Sequence, residues 1–225
     1  MNTRYYTIPP PPVLAPFVRF FWVFEHDIAP GSTYVYRSMA DGCAEMVFHY
    51  KGLFSPIAAD DSITPLYNYS LLQAQSKHFK RFVTQESFGI FGAYLYPFAI
   101  PQLFGYAATD IINHMIDLKD LLGVEGTLLE ERIMLAISNE QRAQLLAAFL
   151  EAQLHKNKQR EPTIQTAVKQ VIHAQSLMNI EQLSNHYNLS RRQFERKFTE
   201  YAGFTPKCIP ALSVSGSAST IWEHL

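Results

Sequence analysis

The densest set of chemically capable side chains lies near the C-terminus, where Arg191, Arg192, Glu195, Arg196 and Lys197 fall close together. Guanidinium groups read guanine bidentately or clamp phosphates, a chemistry that suits Arg191, Arg192 and Arg196. A helical hairpin with a solvated basic face would present the same residues. Elsewhere the chemistry is thin. The histidines (His26, His49, His78, His114, His155, His173, His186 and His224) are scattered, with no His-x-His or His-x-x-x-His pair. His49 near Glu45 therefore reads as a strand residue rather than a metal ligand. Cys43 sits between Asp41 and Glu45 without a cationic or basic partner, which does not favour a thiolate nucleophile. Gly89 and Gly92 are too few for a phosphate loop. The sequence thus leads us to expect no catalytic residue, no metal and no cofactor, and so no enzyme.

The elements around the basic cluster explain how it would be held. Ser190 caps a helix, with Gln193 three residues on to complete a capping box. Phe194 and Phe198 are four apart and can pack onto Leu183 and Ile180 of a short helix running from Ile180 to Tyr187. Asn188-Leu189 is the turn between them, and Asn tolerates the left-handed conformation such a corner needs. Ile164, Ala167, Val168, Val171 and Ile172 mark an amphipathic helix before the pair. A short helix, a turn and a capped helix with a basic outer face is a helix-turn-helix layout. Its second helix is sized for the major groove of double-stranded DNA, with N-terminal residues nearest the base edges.

Charge and length agree with a chain in two parts. The 225 residues carry a net charge of -1, but residues 1–155 hold 10 Lys+Arg against 15 Asp+Glu, and residues 156–225 hold 9 against 5. At about 150 residues per domain, one full domain and a smaller one are expected. The polar stretch from His155 to Pro162 coincides with the charge switch and is the best linker, separating 1–155 from 161–207. A hydrophobic content of 48% with 17% charged residues excludes a disordered chain. No apolar run approaches the ~18 residues of a membrane helix, and Met1 to Pro12 has no apolar signal core. We expect a cytoplasmic protein with no membrane partner, in which Cys43 and Cys208 are reduced.

The first part reads as strands followed by helices, an α+β chain. Phe17 to Phe24 is aromatic and β-branched, apolar on both faces except at Arg19, and suits a buried strand. Glu45 to Tyr50, Tyr67 to Gln73, Phe79 to Gln85 and Phe88 to Tyr96 are further strands, and their number suggests a small barrel or sandwich. Thr127 with Glu130, and Ser138 with Gln141, have capping-box spacing ahead of helical apolar stripes. Aromatics from Phe17 to Phe98 could line a pocket for a small-molecule effector, with Arg37 or Glu45 orienting it, although for any single residue filling the interior is the favoured reading.

The C-terminal pattern has a family likeness. Ile180-x-x-Leu183, Leu189-Ser190-x-x-x-Phe194-x-Arg196-x-Phe198 and then Gly203-Phe204-Thr205-Pro206-Lys207 resemble the first helix-turn-helix of the AraC/XylS family of bacterial transcription regulators. Pro11 to Val18, Trp22, Asp41 to Phe48 and Phe88-Gly89 leading to Pro97 resemble the sensor half of one branch of it. The resemblance implies an N-terminal cupin-like β-barrel with trailing helices that mediate homodimerisation, followed by a small all-α helix-turn-helix unit. By motif position it implies base contacts from Arg192, Glu195 and Arg196, with Arg191 and Lys197 on phosphates. Ser184 and Asn188 stand where the family usually has Ala and commonly has Gly.

Beyond Lys207 the pattern departs from that family, whose linking helix and second helix-turn-helix are not evident. Residues 208–225 contain Pro210 and Gly216 and are rich in Ser, which does not support a long helix. They are expected to be a divergent tail, of shifted-frame origin. Two readings follow: a sequence-specific DNA-binding regulator, or a truncated sensor and dimerisation module with little or no DNA binding.

Overall fold

The computed structural model describes residues 2–38, 42–65, 68–76, 78–157, 162–173 and 179–206. Among these residues eight strands are followed by helices with one further short strand between them: β1 (Thr3–Ile8), β2 (Val18–His26), β3 (Tyr34–Ser38), β4 (Ala44–Lys51), β5 (Ser55–Ile57), β6 (Ser70–Gln73), β7 (Lys80–Thr84), β8 (Phe88–Leu95), α1 (Ala99–Phe104), α2 (Ala108–Ile111), β9 (Met115–Asp117), α3 (Leu118–Leu122), α4 (Val124–Leu135) and α5 (Asn139–Lys156). The last described helices are α6 (Pro162–His173), α7 (Ile180–His186) and α8 (Arg191–Ala202). The expected tail 208–225 and Lys207 lie outside the described residues, as does the segment 158–161 of the expected linker.

The strands form two antiparallel sheets, one of six strands in the order β1-β2-β8-β4-β6-β9 and one of three in the order β3-β7-β5. Among the described residues no strand ladder joins them, so the expected barrel is not closed. Side-chain alternation explains the layering. On β2 and β8, Trp22, Phe24, Phe88, Ile90 and Tyr94 pack with Phe54 and Phe82 between the sheets. The intervening Phe21, Val23, Phe91, Ala93 and Leu95 join Leu103, Leu146 and Leu150 beneath the helices. The central strands are covered on both faces, which is why they read as continuous apolar runs rather than as alternation. Gly92 permits this stacking: a Cβ there would lie 2.5 Å from the Trp22 indole.

Two caps show how the helices begin. Ser138 accepts from the backbone of Gln141 and starts α5 as expected. Thr127 does not start a helix; α4 begins one turn earlier, after Gly123, and the Thr127 hydroxyl donates back to the Gly123 carbonyl. Arg142 of α5 is buried and ties the layers together. It donates to the carbonyls of Ile133 and Ala136 and to Asn139, and its guanidinium lies 3.9 Å from the Tyr50 ring centre. Tyr50 in turn donates to Glu25, and burial followed by that carboxylate pushes its phenol pKa up.

The helical core does not stop at α5. Ile164, Ala167, Val168, Leu183, Phe194, Phe198, Tyr201 and Phe204 belong to the same buried cluster as the large sheet's inner face. Lys169 of α6 reaches over the rings of Phe17 and Phe98, Gln102 of α1 donates to the Tyr201 hydroxyl at 3.2 Å, and Gly203 lies against Ala108 of α2.

Candidate nucleic-acid interface

The α7–α8 pair is fixed by local chemistry at every corner. Asn179 accepts from the backbone of Glu181 and Gln182 to open α7. Ser184 is buried where the helices approach, its hydroxyl bonded to the Glu181 carbonyl. Asn188 takes φ 52°, the left-handed corner anticipated from its residue type, and Leu189 N–H closes the turn on the Ser184 carbonyl at 2.9 Å. Ser190 and Gln193 then form a complete capping box, and Gly203 ends α8 with φ 75°. Phe194 and Phe198 are fully buried, and Tyr187 stacks on Phe194 at 6.4 Å.

That burial turns the five polar candidates outward. Arg191, Arg192 and Arg196 are exposed, and Glu195 and Lys197 are half-buried. Three of the candidates are engaged along the helix: Arg191 Nε donates to Glu195 at 3.1 Å, and Arg196 Nη1 donates to Glu200 at 2.7 Å. In both pairs the cation precedes the acid, the weaker orientation of an i,i+4 pair, and each is worth only about 0.2–0.5 kcal/mol. Arg192 has no ion-pair partner among the described residues.

The start of α8 breaks an electrostatic rule. A helix N-terminus carries partial positive charge and favours Asp or Glu. Here the first turn holds Arg191 and Arg192 and no acid. The helix dipole and the two guanidinium groups therefore add to one positive field pointing outward, a site suited to anions rather than to helix stability.

The inner space of the first part is different. The cavity between the sheets measures about 30 Å³ and is lined by Trp22, Tyr36, Glu45, His49, Phe54 and Gln73 among others. That holds a water or two, far below the roughly 300 Å³ at which ligand pockets begin. Among the described residues, Trp22 Nε1 and His49 Nδ1 find no hydrogen-bond partner there. Burial pulls the His49 pKa down to about 4, so the ring is neutral at pH 7. The aromatics mostly fill the interior instead of lining a pocket. Glu45 does face the cavity; Arg37 does not, because it alternates with Tyr36 and Ser38, which point inward. Among the described residues no group of three or more His, Cys, Asp or Glu is placed to hold a metal ion, and no helix is long and apolar enough to cross a membrane.

Residues 6–117, from β1 through β9, match the family model of a domain of unknown function, DUF6597. No curated protein matches the chain. Among solved structures the chain is similar to ToxT from Vibrio cholerae O395, at 10% identity and a TM-score of 0.42 over 84% of this chain and 77% of that one. It is similar also to the AraC-like transcriptional activator CuxR, at 12% identity and a TM-score of 0.36 over 88% of each chain. A ToxT structure bound to (E)-4-(8-methylnaphthalen-1-yl)but-3-enoic acid gives 10% identity and 0.32 over 84% and 97%.

Proposed function

We propose that this chain is a DNA-binding transcription regulator of AraC type, in which α8 enters the major groove of double-stranded DNA. The observation that carries the reading is the paired arginines at the first turn of a capped, outward-facing helix, where they work against the helix's own dipole. The sequence motif running from Ile180 to Pro206 supports it, and so does the turn geometry at Asn188. Arg192 and Arg196 are assigned to guanine edges, Glu195 to cytosine N4, and Arg191 and Lys197 to phosphates that set register. Releasing Arg196 from Glu200 and Glu195 from Arg191 costs a few tenths of a kcal/mol each, against about 1–3 kcal/mol of discrimination for a good bidentate base contact. The first part serves as a sensor and dimerisation domain, the protein works in the cytoplasm as a homodimer, and no catalysis is assigned to it.

The test is binding of the purified chain to promoter-derived and random duplexes between about 50 and 200 mM salt, beside an Arg192→Ala/Arg196→Ala variant. The reading requires affinity that falls as salt rises and that drops in the variant. Equal binding by both proteins, or none at the lowest salt, overturns it and leaves a sensor and dimerisation module.

A further inference from the structure

The outer face of the three-stranded sheet carries charges that DNA reading does not use. β3 and β7 pair with Arg37 directly opposite Arg81. Like charges in direct cross-strand opposition are destabilising unless something of opposite sign sits between them. Arg81 is held by Asp61, Nη2 to Oδ1 at 2.7 Å, and by the Ala58 carbonyl at 3.1 Å. Both bonds use Nη2, which leaves the other nitrogens of its fork for a further acceptor. Arg37 has no carboxylate partner among the described residues; its guanidinium lies 6.0 Å from the ring of Phe79, an aromatic that is 59% exposed.

Lys80 lines the same cleft, with its ammonium donating to the Asn113 carbonyl at 3.3 Å. Burial pulls its pKa down, as expected of a cation short of solvation. The cleft measures about 540 Å³, large enough for a small molecule, and Pro56, Ile57 and Thr64 supply the rest of its wall. Among the described residues, Arg37 and Arg81 share one carboxylate, Asp61, on this outer face, a local surplus of one positive charge, whereas Lys80 pairs with inward-facing Ser38 and turns its ammonium to Asn113 at the rim. A carboxylate or a phosphodiester offers only two charged acceptor oxygens, too few to fill two guanidinium forks. A phosphate monoester carries nearly two negative charges at pH 7 and three acceptor oxygens, which two arginine forks match bidentately.

We propose that this cleft binds an organic phosphate monoester, with the phosphate bridging Arg37 and Arg81 near Lys80 and the organic body lying against Phe79 and Ile57. The opposed arginines are then explained as a pair completed by the ligand. The site is separate from α8, so its test involves no DNA and its failure leaves the regulator reading untouched.

The experiment is calorimetric titration of the full chain with phenyl phosphate, benzoate and dimethyl phosphate, repeated on Arg37→Gln. Phenyl phosphate is expected to bind one to one, and the two monoanions at least about ten-fold more weakly. Losing the Arg37 charge-assisted bonds should weaken phenyl phosphate roughly 10- to 100-fold. Because Arg37 is outward-facing, the unliganded variant should melt at or above the parent's temperature, which separates lost binding from lost folding. Absence of heat with phenyl phosphate at about 10 mM, equal binding of either monoanion, or an unchanged affinity in Arg37→Gln would each overturn the proposal.

Discussion

The space between the two sheets and the outward face of α8 treat polar groups in opposite ways. Between the sheets, Trp22 Nε1 and His49 Nδ1 are enclosed without partners among the described residues, and His49 stays neutral. On α8 the Arg191 and Arg196 guanidinium groups are exposed, in surface pairs that cost little to open. The first arrangement fixes shape and has little room for a newcomer. The second fixes almost nothing beyond the helix itself and leaves charge ready to change partners. The contrast separates what holds this molecule together from what it presents, although a single buried cluster runs beneath both.

The largest effect should come from cutting that shared cluster. Phe198→Ala is expected to destabilise the chain by about 3–5 kcal/mol, as deletion of a fully buried ring does. Calorimetry should show one transition moved down as a whole. A new low-temperature transition with the main one unmoved would show that α7 and α8 melt alone, and would break the comparison.

Acid should act through the enclosed side. His49 binds its proton with a pKa of about 4 when folded, against 6.5 ordinarily, so the unfolded chain takes up the proton first. The stability linked to it is fully present above about pH 6.5 and is lost as pH falls towards 4, in all about 3 kcal/mol. Urea unfolding at pH 7 and pH 4.5 should show a smaller loss on acidification in His49→Leu than in the parent. Equal losses would remove His49 from the account.

Smaller effects sharpen each side in turn. Gly92→Ala places a methyl against the Trp22 indole and should cost about 1–3 kcal/mol with a changed tryptophan emission; an unchanged spectrum and melting temperature would mean the sheet face has slack. Ser190→Ala removes the α8 cap and should cost about 1 kcal/mol, seen as faster amide exchange at residues 192–194. Undiminished protection there would show that packing of Phe194 alone holds the first turn.

The helix pair was legible in the sequence because its signals are local. The cap at Ser190, the turn at Asn188 and the four-residue spacing of Phe194 and Phe198 each lie within one or two turns of what they determine. The strands of the large sheet were legible where both faces are covered, as at Phe20 to Phe24. The sequence reading passed over β1, β3, β5 and β9. Tyr34-Val35-Tyr36 and Tyr5-Tyr6-Thr7 carried a usable β-branched and aromatic signal. β5 contains Pro56, which argues against a strand, and β9 is a three-residue segment recruited by distant β6 from a stretch of helical period. Arg37 and Glu45 looked equivalent as pocket residues, since which face each would take depends on strand parity and pairing. The outer cleft was invisible for the same reason: Arg37 and Arg81 meet only through the β3–β7 register.

One hydrogen bond described above has a mechanical consequence. Gln102 holds Tyr201 at the C-terminal end of α8, and Gly203 beside it rests on Ala108, whereas the arginines stand at the other end. Twelve residues at about 1.5 Å each make α8 a rod of roughly 18 Å, clamped at its tail. A tilt of about 10° at the clamp would swing its tip by roughly 3 Å, close to the 3.4 Å rise of one base pair. A repacking of α1 that tilted α8 would thus displace the arginines by about that distance.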